Sequence, residues 1–119
     1  MSLPTLRDGL KLPKTRSSVC LVVPAHNEAA SIGGLIASLK QQDHEPLRVV
    51  FALDRCSDET PSIVRSMTET DERFEIVEID HCPDGWAGKV HAVWSAVRSA
   101  SHAQRAAHLL FIDADTSLH

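Results

Sequence analysis

Three short, unbroken apolar runs constrain this chain more than anything else in it. They are Val19-Cys20-Leu21-Val22-Val23, Val49-Val50-Phe51-Ala52-Leu53 and Leu109-Leu110-Phe111-Ile112. Each is bounded by polar residues, and none shows the alternation of a strand with one wet face. Such runs form strands buried on both sides, and a strand of that kind needs a covering layer above and below the sheet. The segments between them supply those layers. Ile32, Leu35, Ile36 and Leu39 recur at the spacing of one helix face, as do Val90, Val93, Trp94 and Val97, with Ile63, Val64 and Met67 forming a shorter stripe. Phe74 to Ile79 is a less continuous strand, expected nearer a sheet edge. The order β-α-β-α-β-α-β with short connections predicts an α/β fold, a Rossmann-like and mainly parallel sheet with flanking helices and right-handed crossovers.

Local chemistry sets the boundaries. Residues 1–18 are polar and form an N-terminal arm, leaving 19–119 as one domain. Pro24 closes the first strand, because proline cannot donate to a ladder. Asn27 is expected to cap the first helix, with Glu28 in its first turn. Gly33 and Gly34 are expected to let that helix approach the sheet. Ser57 or Asp58 should cap the second helix, with Thr60-Pro61 in its first turn. The third helix opens at Gly88-Lys89, and its stripe places Trp94 in the core. His81, His91 and His102 are expected at the surface.

Composition removes several classes. A net charge of −4 over 119 residues argues against a nucleic-acid partner. No apolar run approaches the roughly 20 residues of a membrane span, and the N-terminus lacks the apolar centre of a signal peptide. Cys20, Cys56 and Cys82 include no CxxC pair, which suits reduced thiols and a cytoplasmic setting; membrane association within a longer parent protein stays open. Cys56, Cys82 and His81 match no standard zinc spacing.

In a parallel sheet the residues that follow each strand gather along one edge, where ligands of open α/β sheets bind. Here those residues are His26 and Asn27, then Asp54, then His81 and Asp84, and finally Asp113 and Asp115. Carboxylates placed directly after two apolar strands suit Mg²⁺ or Mn²⁺, which takes one or two carboxylates and completes its shell with phosphate oxygens and water. No Gly-x-Gly-x-x-Gly follows the first strand and no Walker-type loop is present, so neither a dinucleotide site nor a P-loop is supported.

Four segments, in order, carry a family likeness: Val22-Val23-Pro24-Ala25-His26-Asn27-Glu28-Ala29, Leu53-Asp54-Arg55-Cys56-Ser57-Asp58-Glu59-Thr60, Gly88-Lys89-Val90-His91-Ala92 and Phe111-Ile112-Asp113-Ala114-Asp115-Thr116. Together they resemble the motifs of family-two glycosyltransferases of the GT-A fold, the last being similar to their Asp-x-Asp motif. The resemblance implies transfer of a sugar, with inversion, from a nucleotide-diphosphate donor, usually UDP-linked. It implies that Pro24, Ala25, His26, Asn27 and Glu28 line the nucleoside pocket and that Asp54 accepts a hydrogen bond from the base. Lys89 then lies near the nucleotide or its phosphates, Asp113 faces the ribose or the metal, and Asp115 ligates the Mg²⁺ or Mn²⁺ that bridges the diphosphate. Trp94 stands where many relatives carry Asn.

Such enzymes use a second half for the acceptor, and that half also holds the general base. The expectation is therefore a donor-binding half ending after the fourth strand, with an unknown acceptor and no assignable base. Two other classes remain: a metal-dependent nucleotidyltransferase, and a non-catalytic half-domain that folds with a partner or as an oligomer. Exposed apolar surface on the open side of the fourth strand would favour the half-domain.

Overall fold

The computed structural model describes residues 18–42 and 47–114; all of the N-terminal arm but Ser18, and Asp115 and Thr116, lie outside these. The elements run β1 (Val19–Ala25), α1 (Ala29–Lys40), β2 (Leu47–Asp54), α2 (Thr60–Thr68), β3 (Phe74–Ile79), α3 (Gly88–Ser99), α4 (Ser101–Arg105) and β4 (His108–Phe111). The sheet is parallel throughout, in the order β3-β2-β1-β4. Val19 pairs with both Leu47 and His108, so β1 sits at the centre with a neighbour on each side. β3 lies at one edge, as its broken apolar pattern predicts.

This order makes the chain change sides. Alternate residues of β1 and β2 (Val19, Leu21, Val23, Val49, Phe51, Leu53) pack against Ile32, Leu35, Ile36 and Leu39 of α1 and Val64 of α2. The opposite set (Cys20, Val22, Val50, Ala52) packs against Ala92 and Ala96 of α3, Ala103 of α4 and Ala100 between them. The sheet is therefore covered on both faces, and strand order reverses between β1 and β4. That reversal opens a crevice at the carboxyl ends of those two strands.

Three expectations are corrected. α3 does not bury its bulky stripe. It buries the alanine face, leaving Val90 59% and Trp94 44% exposed, while His91 is buried at 7%. Both stripes share one spacing, and side-chain size alone favoured the valine and tryptophan positions. The small face wins because it lets the helix lie close to strands that present Cys20, Val22, Val50 and Ala52. Trp94 is instead capped by the Arg98 guanidinium, 4.8 Å from its ring centroid. β4 is not buried on both sides: it is a four-residue edge strand whose Phe111 is 54% exposed. Gly33 faces α2 rather than the sheet, since a Cβ there would meet Met67 and Ile63 at ordinary contact distance.

Phe51 is the largest of the fully buried side chains and stacks on Phe74 at 6.1 Å between centroids. Phe51→Ala should therefore lower unfolding free energy by about 3–5 kcal/mol in urea titrations, the range for a large aromatic lost from a close-packed core.

Candidate active site

The carboxyl edge is built by two loops tied to each other. β1 ends at Ala25, and Asn27 takes a positive φ of 52°. Asn27 does not cap α1. Its Oδ1 accepts the backbone N–H groups of Ser57 (2.7 Å) and Asp58 (3.2 Å) in the loop after β2. Asp58 returns the tie: its carboxylate accepts the Thr60 N–H (2.9 Å), the Thr60 hydroxyl (2.6 Å) and the Ala29 N–H at the start of α1 (3.2 Å). The Glu28 N–H donates to the Thr60 hydroxyl oxygen at 2.8 Å, and Glu28 itself precedes the first turn of α1 as its N-cap residue. His26 Nδ1–H donates to the Asp54 carbonyl at 2.7 Å, which fixes that tautomer and leaves Nε2 as the ring's acceptor. Asn27, Asp58 and Thr60 thus hold the two loops in register, while His26 and Glu28 remain at the mouth of the crevice.

Asp54 closes β2, and its side chain is 5% exposed. Both of its carboxylate oxygens are held by the next residue. Arg55 Nε–H donates to Oδ1 at 2.9 Å and Nη2–H to Oδ2 at 3.0 Å. Arg55 achieves this from a left-handed backbone, φ 47°, with its N–H on the Ile79 carbonyl at 2.7 Å. The pair leans on the first turn of α3. A Cβ on Gly88 would lie 2.8 Å from Arg55 Nη2 and 3.2 Å from Asp54 Oδ2, so any larger residue there would have to displace the guanidinium.

On the other flank of the same turn, Lys89 Nζ–H donates to Asp113 Oδ1 at 2.6 Å. These side chains are 62% and 53% exposed. Beside them a groove of about 450 Å³ runs between α3 and β4, lined by Pro24, Lys89, Val90, Val93, Phe111, Ile112 and Asp113. The first turn of α3 therefore stands between two ion pairs, Asp54–Arg55 over β2 and Lys89–Asp113 over β4.

The structure thus brings Pro24, Ala25, His26, Asn27, Glu28, Asp54, Lys89 and Asp113 to one edge. Asp115 lies outside the described residues. Among the described residues no three His, Cys, Asp or Glu side chains converge as a metal cluster. A site of one or two carboxylates completed by phosphate oxygens does not need such a cluster, so the exposed, hard-oxygen Asp113 fits Mg²⁺ or Mn²⁺. All three cysteines are free thiols, and burial pushes Cys20 up to about 12.

Sequence reasoning missed Arg55, the reason for Gly88, and an aromatic patch. Trp86 lies 5.3 Å from both the His91 and Trp94 rings, and His91 Nδ1 is buried without a hydrogen-bond partner among the described residues. The recurrence of Trp86, Val90 and Trp94 every fourth residue, from the loop into α3, was the available signal for that patch.

A doubly wound sheet with a charged crevice at its switch point defines a nucleotide-binding class of α/β domain. The family model described as glycosyl transferase family 2 matches residues 20–119, and the chain belongs to that family. It is 34% identical over 101 residues to the 4,4'-diaponeurosporenoate glycosyltransferase of Staphylococcus aureus (strain bovine RF122 / ET3-1), a match covering 84% of this chain and 24% of that protein. Among solved structures it is similar to the mannosyltransferase PcManGT from Pyrobaculum calidifontis in complex with GDP-Man and Mn²⁺. There the TM-score is 0.70 and the identity 32%, over 87% of this chain and 29% of that one. S. aureus TarS residues 1–349 share the fold, with a TM-score of 0.66 and 24% identity over 82% of this chain and 27% of that one. The chain thus spans about a quarter of the length of the relatives it matches. The fold is that of the GT-A glycosyltransferases. Among the described residues no helix is long and apolar enough to cross a membrane.

Hydrogen bonds from Thr60 hold the Asp58 carboxyl below its ordinary value of 3.8. A depressed folded pKa adds stability above the unfolded value, and that stability is lost as pH falls through the folded one. Asp58→Asn should therefore lower Tm at pH 7, and the gap from wild type should close as pH drops below about 4, measured by thermal melts across pH.

Proposed function

We propose that residues 19–119 form the donor-binding half of a metal-dependent, inverting glycosyltransferase. In this reading a nucleotide-diphosphate sugar lies along the carboxyl edge, with its base toward Asp54 and its diphosphate toward Lys89 and Asp113. The observation that carries it is the pair of charged contacts flanking the first turn of α3, one buried and one exposed.

The exposed pair is the one suited to exchange. A surface ion pair contributes little, because water solvates both partners well. A diphosphate can take the Lys89 ammonium, and the Asp113 carboxylate released from it, together with Asp115, would hold Mg²⁺ or Mn²⁺. When bound, the metal would offset the charge that develops on the departing nucleotide diphosphate. Lys89 adds a positive charge at the same place, and the uncapped first turn of α3 adds N–H dipoles. His26 Nε2, an acceptor at the crevice mouth, is placed to take a hydrogen bond from the nucleoside. The acceptor and the general base are left to residues outside this half. The family resemblance implies uracil as the base; the GDP-Man of the mannosyltransferase neighbour admits guanine as well.

A second reading, a half-domain that depends on a partner or on a second copy, draws on the exposed Phe111 at the open edge of β4. Light scattering separates the two, since that reading requires association.

Calorimetric titration of GDP and UDP with and without Mn²⁺ tests the first reading. Binding should require the metal and vanish in Asp113→Ala and Asp115→Ala. Lys89→Ala should weaken it about tenfold or more, as expected for one charge-assisted hydrogen bond. Metal-independent binding, or no binding by the wild type, would sink the proposal.

A further inference from the structure

We propose that Arg55 reads the base of the donor and selects guanine. This rests on the donor-binding reading above and identifies the nucleotide it takes. Asp54 is the acceptor the resemblance offers for a base, yet its side chain is 5% exposed while Arg55 is 43% exposed. An incoming base edge therefore meets the guanidinium first.

The guanidinium is held more firmly than charge neutralisation requires. Its backbone is left-handed, a conformation uncommon for any residue with a long side chain. Its N–H is fixed on Ile79, and its Nη2 packs against Gly88, where a Cβ would lie 2.8 Å away and push the guanidinium from its present position. Strained backbone persists where the surroundings over-determine it, and such positions cluster at ligand sites.

The orientation then decides what can bind. Arginine has five N–H donors in a planar fork and no acceptor. Its side edge, Nε and Nη2, is spent on the two oxygens of Asp54. Its end edge, Nη1 and Nη2, carries two parallel N–H groups with no partner among the described residues. A parallel pair of donors needs two adjacent acceptors. Guanine presents O6 and N7 side by side, the commonest bidentate arginine contact with a base. Uracil alternates carbonyl, N–H and carbonyl, so it can engage only one of the two donors and sets its imide N–H against the other. Of the two bases the donor reading admits, the end edge of Arg55 fits guanine.

The test is calorimetric titration of the 119-residue chain with GDP, UDP, CDP and ADP in the presence of Mn²⁺, for wild type and Arg55→Lys. Lysine keeps the positive charge against Asp54 but has no planar fork. GDP should bind wild type about tenfold or more tighter than UDP, the discrimination of one bidentate pair. Arg55→Lys should reduce that ratio to roughly threefold or less. If Arg55→Lys fails to fold, wild type titrated with 7-deaza-GDP, which lacks the N7 acceptor, replaces it, and that nucleotide should bind about as weakly as UDP. UDP or ADP binding wild type as tightly as GDP, or a ratio unchanged in the variant, overturns the inference while leaving the donor reading intact. Failure of all four nucleotides to bind overturns the donor reading itself.

Discussion

The rest of the structure depends on β1. Val19 to Val23 is fully buried and carries a neighbour strand on each side, so it offers no face to water and no edge for repair. A strand in that position must be covered above and below, and one short chain can do so only by moving its helices from one face to the other partway along. The move happens after β3. It carries α3 back across the sheet and sets its first turn over the ends of β1, β2 and β4. The crevice is thus a consequence of covering β1, and the charged residues at it are those the topology has no other place to put.

The two ion pairs beside that turn are physically unlike. A carboxylate buried as deeply as that of Asp54 is costly without a partner, so Arg55 is required there whether or not a ligand binds. The required partner also screens the carboxylate from solvent, which hands the outward-facing chemistry to the guanidinium. Lys89 and Asp113 face water and gain little from each other, so both can be given up to a ligand at small cost. One pair gives the site its shape and the other gives it an exchangeable charge. Gly88 and Lys89, adjacent in sequence, serve one pair each.

The strands were legible because an unbroken apolar run leaves few alternatives, and the edge position of β3 was legible from its interruptions. β4 was misread for a related reason: Leu109, Leu110 and Phe111 have the composition of a central strand, and only the sheet order reveals that Phe111 has nothing over it. The face of α3 was misread because bulk was taken as the sign of burial, whereas an alanine stripe serves a close helix–sheet contact better. Asn27 has the chemistry of a cap. Its use to bridge to Ser57 and Asp58 depends on a left-handed backbone and a loop 30 residues away, neither of which periodicity carries. The gathering of Asp54 and Asp113 on one edge was legible from topology alone, whereas Lys89 was placed there only by the motif resemblance. That Asp54 is covered by its own successor was not, because an arginine at positive φ leaves no mark in a sequence.

The groove beside the exposed pair has walls of one character and a rim of another. Pro24, Val90, Val93, Phe111 and Ile112 are apolar, while Lys89 and Asp113 stand together at its charged end. A ligand charged along its whole length would leave those walls uncompensated, and a wholly apolar one would strand the ion pair. The surface therefore suits a molecule, or a junction of two, with charge at one end and apolar contact at the other. A diphosphate at the rim meets the first requirement and cannot meet the second. The exposed Phe111 and the apolar edge of α3 are then the part of this surface that a nucleotide alone does not account for, and the same edge supports the partner-dependent reading. The groove thus joins an exposed ion pair at one end to an uncovered apolar surface at the other.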